Sequence, residues 1–262
     1  MTRAAGSVRS GAILAGGRSS RIGRPKALLE LGGEPLLVHV ARALAPSCDE
    51  LLIVAAPPDA LPDGLLDELR RLATRLARTW RALGGRATFA LRPRVRIVHD
   101  AHAHLGPCSG LASALAAARG EVAFVTACDQ PFLAPAVVAE VLARCEARTR
   151  PDVVLARWRG YLEPLVAAYR VSTMAAHYAR QLGEGQLRPT ARLDRVRCAV
   201  LDERELRALD PDGLSFVNVN SRADYASARA IAAERFAPAL SARPRGPAAY
   251  PGRSSRGSSA GG

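Results

Sequence analysis

Short apolar runs alternate with segments of helical periodicity along most of the chain. The first run is residues 11–15, and a helical pattern near 35–44 leads to a second run at 51–55. Further apolar runs occur at 95–98, 122–127, 153–156, 165–169 and 196–201, and further helical patterns near 108–118, 135–145, 172–182 and after Ser221. Alternation of this kind predicts an α/β fold with three layers and a doubly wound, mostly parallel sheet of the Rossmann-like type.

One stretch departs from this alternation. Within residues 57–94 apolar side chains recur at helical spacing, namely Leu65, Leu66, Leu69, Leu72, Ala73, Leu76 and Trp80. We expect an inserted surface helix whose apolar stripe packs on the domain or on a second subunit, rather than a catalytic element.

The two ends of the chain differ in composition from the region between them. Residues 1–9 are small, polar and basic, and residues 237–262 are rich in Pro, Gly, Ser, Ala and Arg without an acidic residue. We expect both ends to be disordered and the second to form a basic tail. Residues 10–236 are expected to form a single domain.

The chain has 262 residues, 48% of them hydrophobic, and a formal net charge of +13. An excess of basic residues is typical of proteins that bind nucleic acid, a membrane surface or a small anionic substrate. The arginines are spread through the whole chain and no nucleic-acid-binding module is recognisable, so we expect no nucleic-acid partner. With no signal peptide and no apolar window of membrane length, we expect a cytoplasmic enzyme without a membrane partner.

The five cysteines are scattered without a C-x-x-C pair, which argues against a zinc knuckle or a disulfide framework. They are expected to be reduced and mostly buried thiols: Cys48, Cys108, Cys128, Cys145 and Cys198.

A glycine-rich segment with two basic residues follows the first predicted strand. It reads Leu-Ala-Gly-Gly-Arg-Ser-Ser-Arg-Ile-Gly-Arg-Pro-Lys over residues 14–26. Glycines lack the Cβ that would keep backbone N–H groups away from a phosphate chain. Arg21 and Lys26 add positive charge where a triphosphate would lie. Neither G-x-x-x-x-G-K-[ST] nor G-x-G-x-x-G fits the spacing, so the segment predicts a different polyphosphate loop.

A carboxylate follows the apolar run at 122–127. Asp129 stands in Cys128-Asp129-Gln130-Pro131-Phe132, at the sheet edge where open α/β folds bind ligands. Mg²⁺ usually takes one or two carboxylates together with substrate phosphates and water, so Asp129 is the predicted metal ligand. The residues alone leave open an N-cap role for Asp129 ahead of the next helix.

The loop resembles the signature of the MobA-like NTP transferases, and the resemblance extends from Gly11 to about Glu234. It implies a sheet of the nucleotide-diphospho-sugar transferase type and a loop that wraps the NTP phosphates. The matched positions are Leu14, Ala15, Gly16, Gly17, Arg21 and Lys26. Ile22 stands where a methionine is usual, and Asp129 matches a metal ligand.

Two further blocks resemble this family. Asp100, followed by Gly-Pro-Cys-Ser-Gly-Leu at 106–111, is similar to a block that helps bind the nucleotide. Asn218 and Asn220 resemble paired amides of molybdenum cofactor guanylyltransferases that contact the acceptor, and Ser221 with Asp224 also fits a helix cap.

Two residues depart from the family pattern. Glu163 stands where many relatives have histidine, which puts a histidine contact to the acceptor in doubt. Val54 stands where some relatives carry a base-contacting asparagine, so we expect the backbone of residues 14–16 to read the base.

The resemblance implies Mg²⁺-dependent transfer of GMP from GTP to Mo-molybdopterin, with Arg21, Lys26 and Asp129 as the catalytic residues. A molybdoenzyme or another cofactor-biosynthesis protein is a possible partner. The alternatives are a molybdenum cofactor cytidylyltransferase, a sugar-1-phosphate nucleotidyltransferase, and a nucleotide-binding regulatory module without turnover. The cytidylyltransferase branch favours a D-x-D element where this chain has Asn218-Val219-Asn220, which favours guanine.

Overall fold

The computed structural model describes residues 8–16, 24–85, 94–102 and 105–241. The strands are β1 (Arg9–Leu14), β2 (Glu30–Leu31), β3 (Glu34–Pro35), β4 (Glu50–Ala55), β5 (Val95–His99), β6 (Val122–Ala127), β7 (Val153–Trp158), β8 (Tyr161–Arg170) and β9 (Cys198–Leu201). The helices are α1 (Leu36–Leu44), α2 (Leu65–Thr79), α3 (Pro107–Ala117), α4 (Pro135–Cys145), α5 (Val171–Gly183), α6 (Glu203–Leu209) and α7 (Arg222–Ser241).

Seven of these strands form one sheet in the order β5-β4-β1-β6-β8-β7-β9. β1 pairs in parallel with β4 on one side and with β6 on the other, and β8 runs antiparallel to both of its neighbours. The expected mostly parallel sheet is therefore confirmed. β2 and β3 form a separate short hairpin that the apolar pattern did not predict.

Side chains of successive strand residues enter two different cores, because they point alternately to the two faces of the sheet. Ile13 and Phe124 belong to the core under α1, α2 and α4, whereas Ala12 and Val125 belong to the core under α3 and α5. All four residues are fully buried. Helices cover both faces, which confirms the three-layer arrangement and explains why the strands read as continuous apolar runs.

The predicted insertion contains α2, and its apolar stripe packs on the protein's own core. Leu69 and Trp80 are fully buried in the same cluster as α1 and the central strands. A Cβ on Gly85 would come within 2.2 Å of the Trp80 ring nitrogen, so glycine is needed where the chain closes over this ring. The sequence analysis left open whether this stripe packs on the domain or on a second subunit, and the structure shows it packed on the domain. Residues 86–93 lie outside the described ranges.

Several element boundaries differ from the sequence prediction. β8 begins at Tyr161 rather than 165, and its pairing with β7 shifts in register between Leu155 and Ala156. Pro164 lies at this irregularity and has no backbone N–H for the ladder, so the apolar pattern concealed the first part of the strand. α6 was also missed, since only Leu206 of its seven residues is buried.

Two elements of the structure reach into the segments that the sequence analysis expects to be disordered. β1 starts at Arg9, whose guanidinium group donates to Glu146 at 2.8 and 2.6 Å. α7 runs to Ser241 and continues through Pro238, which removes one backbone donor without ending the helix. Residues 1–7 and 242–262 lie outside the described ranges, so the rest of this expectation stays a prediction. No helix within the described ranges is long and apolar enough to span a membrane.

Leu69→Ala should lower the free energy of unfolding by about 2–5 kcal/mol, because it opens a cavity in the core beneath α2. Arg71→Ala on the exposed face of the same helix should change it by less than about 0.5 kcal/mol. Urea-induced unfolding measures both. Equal unfolding midpoints for wild type and Leu69→Ala would show that α2 is a detachable excursion.

Candidate active site

A cleft of about 510 Å³ opens at the carboxyl ends of β1, β4 and β6. Its volume lies within the range of roughly 300–1,000 Å³ that is usual for small-molecule sites. The strand ends and the turns after them contribute most of the lining: Leu14, Gly16, Val54, Ala55, Ala56, Ala127, Cys128 and Asp129. The first turn of α3 supplies another wall, with Gly106, Pro107 and Gly110. The cleft lies where ligands bind in open α/β sheets.

Three polar side chains from distant parts of the chain meet at the rim of the cleft. The Nζ of Lys26 donates to Asp129 Oδ2 at 2.9 Å and to Asn220 Oδ1 at 2.5 Å. The Lys26 and Asp129 side chains are only 15% and 17% exposed. The sequence-predicted lysine, metal ligand and one of the paired amides therefore share one site.

The backbone fixes this arrangement on both sides of Asp129. The Cys128 amide donates to the Leu14 carbonyl at 3.0 Å, which ties the turn after β6 to the end of β1. The Val219 amide donates to the Asp129 carbonyl at 2.9 Å, which brings the segment before α7 against the same turn. Lys26 begins a short 3₁₀ turn after Pro25. The backbone on both sides of Asp129 is thus fixed independently of the contact that its carboxylate makes with Lys26.

Gln130 is a supporting residue that the sequence analysis did not single out. Its Oε1 accepts from the Thr126 hydroxyl at 2.8 Å and from the Ala127 amide at 3.4 Å. Thr126 and Gln130 are 0% and 2% exposed, so this bond closes the Asp129 turn from inside the protein. The sequence carried no signal for this role, because the burial of Gln130 is visible only in the structure, where buried polar groups are normally hydrogen-bonded.

The Cys128 thiol lines the cleft but is not a nucleophile at neutral pH. Burial, and next the charge of Asp129, raise its pKa to about 12. The thiol therefore stays protonated beside the carboxylate.

Asp100 stabilises the start of α3. Its Oδ1 accepts from the His102 amide and the Ser113 hydroxyl at 3.1 Å each, and from the Ser109 hydroxyl. Gly106, immediately before α3, has φ 75° and ψ −163°, a conformation that glycine alone adopts readily. Asp100 also lines the cleft, so its predicted nucleotide contact remains compatible with this anchoring role.

The segment before α7 exposes Asn218 and Asn220 and buries Val219 between them. The amides lie on the same side, as the i and i+2 spacing predicts. Asn220 reaches Lys26, whereas the Asn218 amide donates to the Phe216 carbonyl at 3.4 Å. The predicted cap is present, because Asp224 Oδ2 accepts from the Ser221 amide and Ser221 Oγ accepts from the Asp224 amide.

The predicted glycine loop is described only at its two ends. Leu14 and Gly16 line the cleft, and a Cβ on Gly16 would lie 3.0 Å from the Ala56 nitrogen, which requires a small residue there. Gly17 and Arg21 lie outside the described residues, so their assignment to the site stays a prediction.

Part of the backbone of residues 14–16, which is expected to read the base, is already used by the sheet. The Ala15 amide donates to the Val54 carbonyl at 2.7 Å, and the Leu14 carbonyl accepts from the Cys128 amide. These two groups complete the sheet, and the expectation that other backbone groups of residues 14–16 read the base stays a prediction. Ala15 is buried, with 9% exposure, and supports the cleft from behind.

The two residues that depart from the family pattern both lie close to the cleft. Val54 lines it, and Glu163 lies two residues before the cleft residue Leu165 on β8. Burial raises the pKa of the Glu163 carboxyl. The carboxyl group of Glu163, two residues from the cleft along β8, is therefore partly desolvated.

The donor set fits a magnesium ion that arrives with a substrate. Among the residues that the structure describes, no three histidine, cysteine, aspartate or glutamate side chains cluster as a metal site would require. Asp129 is a single carboxylate beside a lysine, and Mg²⁺ commonly takes one or two carboxylates plus substrate phosphates and water. Asp129 could hold such an ion, whereas a dedicated all-protein metal cage is not formed by the described residues.

Fold and site together define a nucleotidyltransferase of the three-layer α/β class. A family model described as the MobA-like NTP transferase domain matches residues 11–196. The chain belongs to the MobA-like NTP transferase family.

Relatives of this chain carry the name molybdenum cofactor guanylyltransferase. The protein from Desulfosudis oleivorans is 31% identical over 222 residues, which cover 84% of this chain and 94% of the relative. The one from Burkholderia ambifaria is 33% identical over 219 residues, covering 81% and 91%.

Solved structures share the fold. Molybdopterin-guanine dinucleotide biosynthesis protein A from Archaeoglobus fulgidus has a TM-score of 0.65 at 24% identity and covers 86% of this chain and 99% of its own. A 2-C-methyl-D-erythritol 4-phosphate cytidylyltransferase from Thermus thermophilus has a TM-score of 0.51 at 18% identity and covers 86% and 98%. At these identities the similarity is one of fold.

Gln130→Ala should destabilise the protein by about 1–3 kcal/mol, because the buried Thr126 hydroxyl loses its acceptor. The Asp129 turn should loosen as well, so kcat for nucleotidyl transfer should fall. Gln186→Ala, which changes an exposed glutamine, is the matched control. Unchanged urea unfolding and unchanged kcat in Gln130→Ala would remove Gln130 from the supporting structure of the site.

Proposed function

We propose that this protein transfers GMP from GTP to Mo-molybdopterin, forming the guanine dinucleotide of the cofactor and pyrophosphate. The observation that carries the proposal is the meeting of Lys26, Asp129 and Asn220 at the rim of a nucleotide-sized cleft. Relatives named molybdenum cofactor guanylyltransferase align with more than four fifths of the chain, which supports the choice of substrates.

In the proposed reaction, an oxygen of the acceptor's phosphate attacks the α-phosphorus of GTP. A new P–O bond forms, the bond to the bridging oxygen of the β-phosphate breaks, and pyrophosphate leaves with the electron pair. A phosphate monoester is largely ionised near neutral pH, so the nucleophile needs no general base. The protein's task is to position the two phosphates and to stabilise the charge on the reacting oxygens.

Lys26 is the described residue best placed for that charge stabilisation. Its ammonium group is largely screened from solvent and already points at the carboxylate beside the cleft. A low-dielectric position strengthens its attraction for phosphate oxygens. We infer that Lys26 exchanges its contact with Asp129 for one with the triphosphate, which frees a carboxylate oxygen. Arg21 would add a second charge from the loop.

Mg²⁺ is the proposed cofactor, and bound with the triphosphate it would neutralise phosphate charge. Asp129 would hold it and Asn220 would hydrogen-bond to its water shell or to a phosphate. Asn218 and Asn220 together would contact the acceptor.

Guanine is the proposed base, with a cytidylyltransferase as the alternative. The rest of the proposal concerns the setting of the reaction: GTP and Mo-molybdopterin as substrates, a cytoplasmic location, and a molybdoenzyme or another cofactor-biosynthesis protein as receiver of the product. A regulatory module without turnover is the non-enzymatic alternative, and a turnover assay separates the two.

Asp129→Asn should lower kcat/KM for Mg²⁺-dependent transfer by about 100-fold or more, because the amide keeps the shape of the side chain but loses the charge that binds the cation. The fold should persist, since an amide oxygen can still accept from Lys26. Asp194→Asn, at an exposed aspartate away from the cleft, is the control. Near-wild-type turnover in folded Asp129→Asn protein would contradict the assignment.

GTP should be used at least about tenfold better than CTP, since a site that pairs buried polar groups with guanine leaves some of them unpaired with cytosine. With the Leu14 carbonyl and the Ala15 amide already bonded in the sheet, the remaining backbone of the cleft wall must read the base. The measurement is kcat/KM for GTP, CTP and ATP with one acceptor. Equal or better use of CTP would assign the protein to the cytidylyltransferase branch without affecting the roles of Lys26 and Asp129.

A further inference from the structure

A second concave site lies between α5 and the segment that leads into β9. It has a volume of about 140 Å³ and shares no lining residue with the nucleotide cleft. His177, Arg180 and Gln181 on one face of α5 form one wall, together with Glu184 directly after the helix. Arg192 and Arg195 form the opposite wall. We call this site the α5 basic pocket.

The lining of the α5 basic pocket has an excess of positive charge. Three guanidinium groups, those of Arg180, Arg192 and Arg195, face a single carboxylate, that of Glu184. Glu184 forms an ion pair with Arg192. Arg180 and Arg195 are left to act on whatever enters the pocket, and guanidinium groups present several N–H donors in a geometry that suits phosphate and carboxylate.

Two buried polar atoms of the lining form no well-formed hydrogen bond. The His177 Nε2 and the Gln181 Oε1 have no partner of good hydrogen-bond geometry in the described part of the chain, although the two side chains interact with each other. Gln181 is only 1% exposed, and its amide nitrogen is held by the Arg188 carbonyl at 2.8 Å, so its oxygen cannot turn away towards solvent. Buried polar atoms without partners are costly, and they mark places where a ligand or an ordered water completes the structure.

The electrostatic environment of His177 supports an anionic occupant. Burial, and next the charge of Arg180, lower the pKa of the imidazole; the side chain of Gln181 acts in the opposite direction, and Arg195 and Arg192 lower the pKa further. An anion between these groups would offset the repulsion and allow His177 to donate from both ring nitrogens.

The volume of the pocket limits the occupant to a small group. At about 140 Å³ it is well below the range of roughly 300–1,000 Å³ typical of sites that enclose whole nucleotide-sized or drug-sized ligands. We propose that the α5 basic pocket binds a phosphate group through Arg180, Arg195 and His177, with a P–OH donating to Gln181 Oε1. The phosphate is either inorganic phosphate or the terminal phosphate of a larger ester whose remainder stays outside.

The test is an NMR titration of the full-length protein, in which the imidazole resonances of His177 are followed as inorganic phosphate is added at constant ionic strength, with chloride as the counter-titration. The chain has five histidines, so His177→Gln assigns the signal. We expect a saturable shift with phosphate and none with chloride, and an upward shift of the His177 pKa. A shift that never saturates, or that chloride reproduces, would overturn the proposal.

Arg180→Gln and Arg195→Gln should each weaken phosphate binding about tenfold, as expected when one charged contact to phosphate is lost. Arg148→Gln, at an exposed arginine outside the pocket lining, is the matched control and should bind as wild type does. If the control variant bound phosphate just as weakly, the effect would come from the general surface charge of the protein, and the proposal would be overturned.

A second arm titrates ribose 5-phosphate in place of inorganic phosphate. Saturation by both ligands identifies a pocket that is open to phosphate esters, whereas saturation by inorganic phosphate alone identifies a site for the free ion. Saturation by neither contradicts the proposal. Because the readout is binding at His177, the result does not depend on whether GTP is the substrate of the cleft.

Discussion

The position of the cleft depends on the parallel register of three neighbouring strands. Leu14 at the end of β1 lies level with Val54 on β4 and with Ala127 on β6. The chain leaves all three strands at one height, so the turns that follow them meet around one cleft. Backbone hydrogen bonds between Ala15 and Val54, and between Cys128 and Leu14, extend this register one residue beyond the strands. The cleft is therefore a consequence of the sheet, and its rim can carry polar residues without disturbing the core.

Within that frame, the contact between Lys26 and Asp129 governs the electrostatics of the rim. Each charge is mostly removed from water, and a largely buried charge is costly unless it is paired. Pairing holds both side chains at the cleft, and Asn220 satisfies a further donor of the ammonium group. A polyphosphate with its cation offers both partners a replacement of the opposite sign. The contact that stabilises the rim would thus prepare it for the proposed substrate.

Many of the strands and helices could be predicted from the sequence, because apolar runs and helical periodicity directly reflect which residues are buried. β6 and α4 were predicted to the residue, and Asp129 follows β6 as expected. The elements that the sequence analysis did not predict correctly depend on tertiary contacts. The start of β8 was hidden by Pro164 and a register shift, and α6 by a charged sequence in which only Leu206 is buried.

For the site, the sequence predicted which residues take part, but it did not predict which of them contact each other. Lys26, Asp129 and Asn220 were selected from motifs far apart in the chain, and no sequence pattern states that the lysine bonds to the other two. The support by Gln130 and the use of the Ala15 amide by the sheet are visible only in three dimensions. The roles of Gly17 and Arg21 remain predictions from the loop motif.

The most direct measurement is a crystal structure of the full-length protein with Mg²⁺ and a GTP analogue that cannot react at the α-phosphate. We expect the ion within about 2.0–2.1 Å of an Asp129 carboxylate oxygen, the usual distance for magnesium. The Nζ of Lys26 should have moved from Asp129 to a phosphate oxygen. A nucleotide bound in the cleft with Lys26 still paired to Asp129 and the metal held elsewhere would contradict the account.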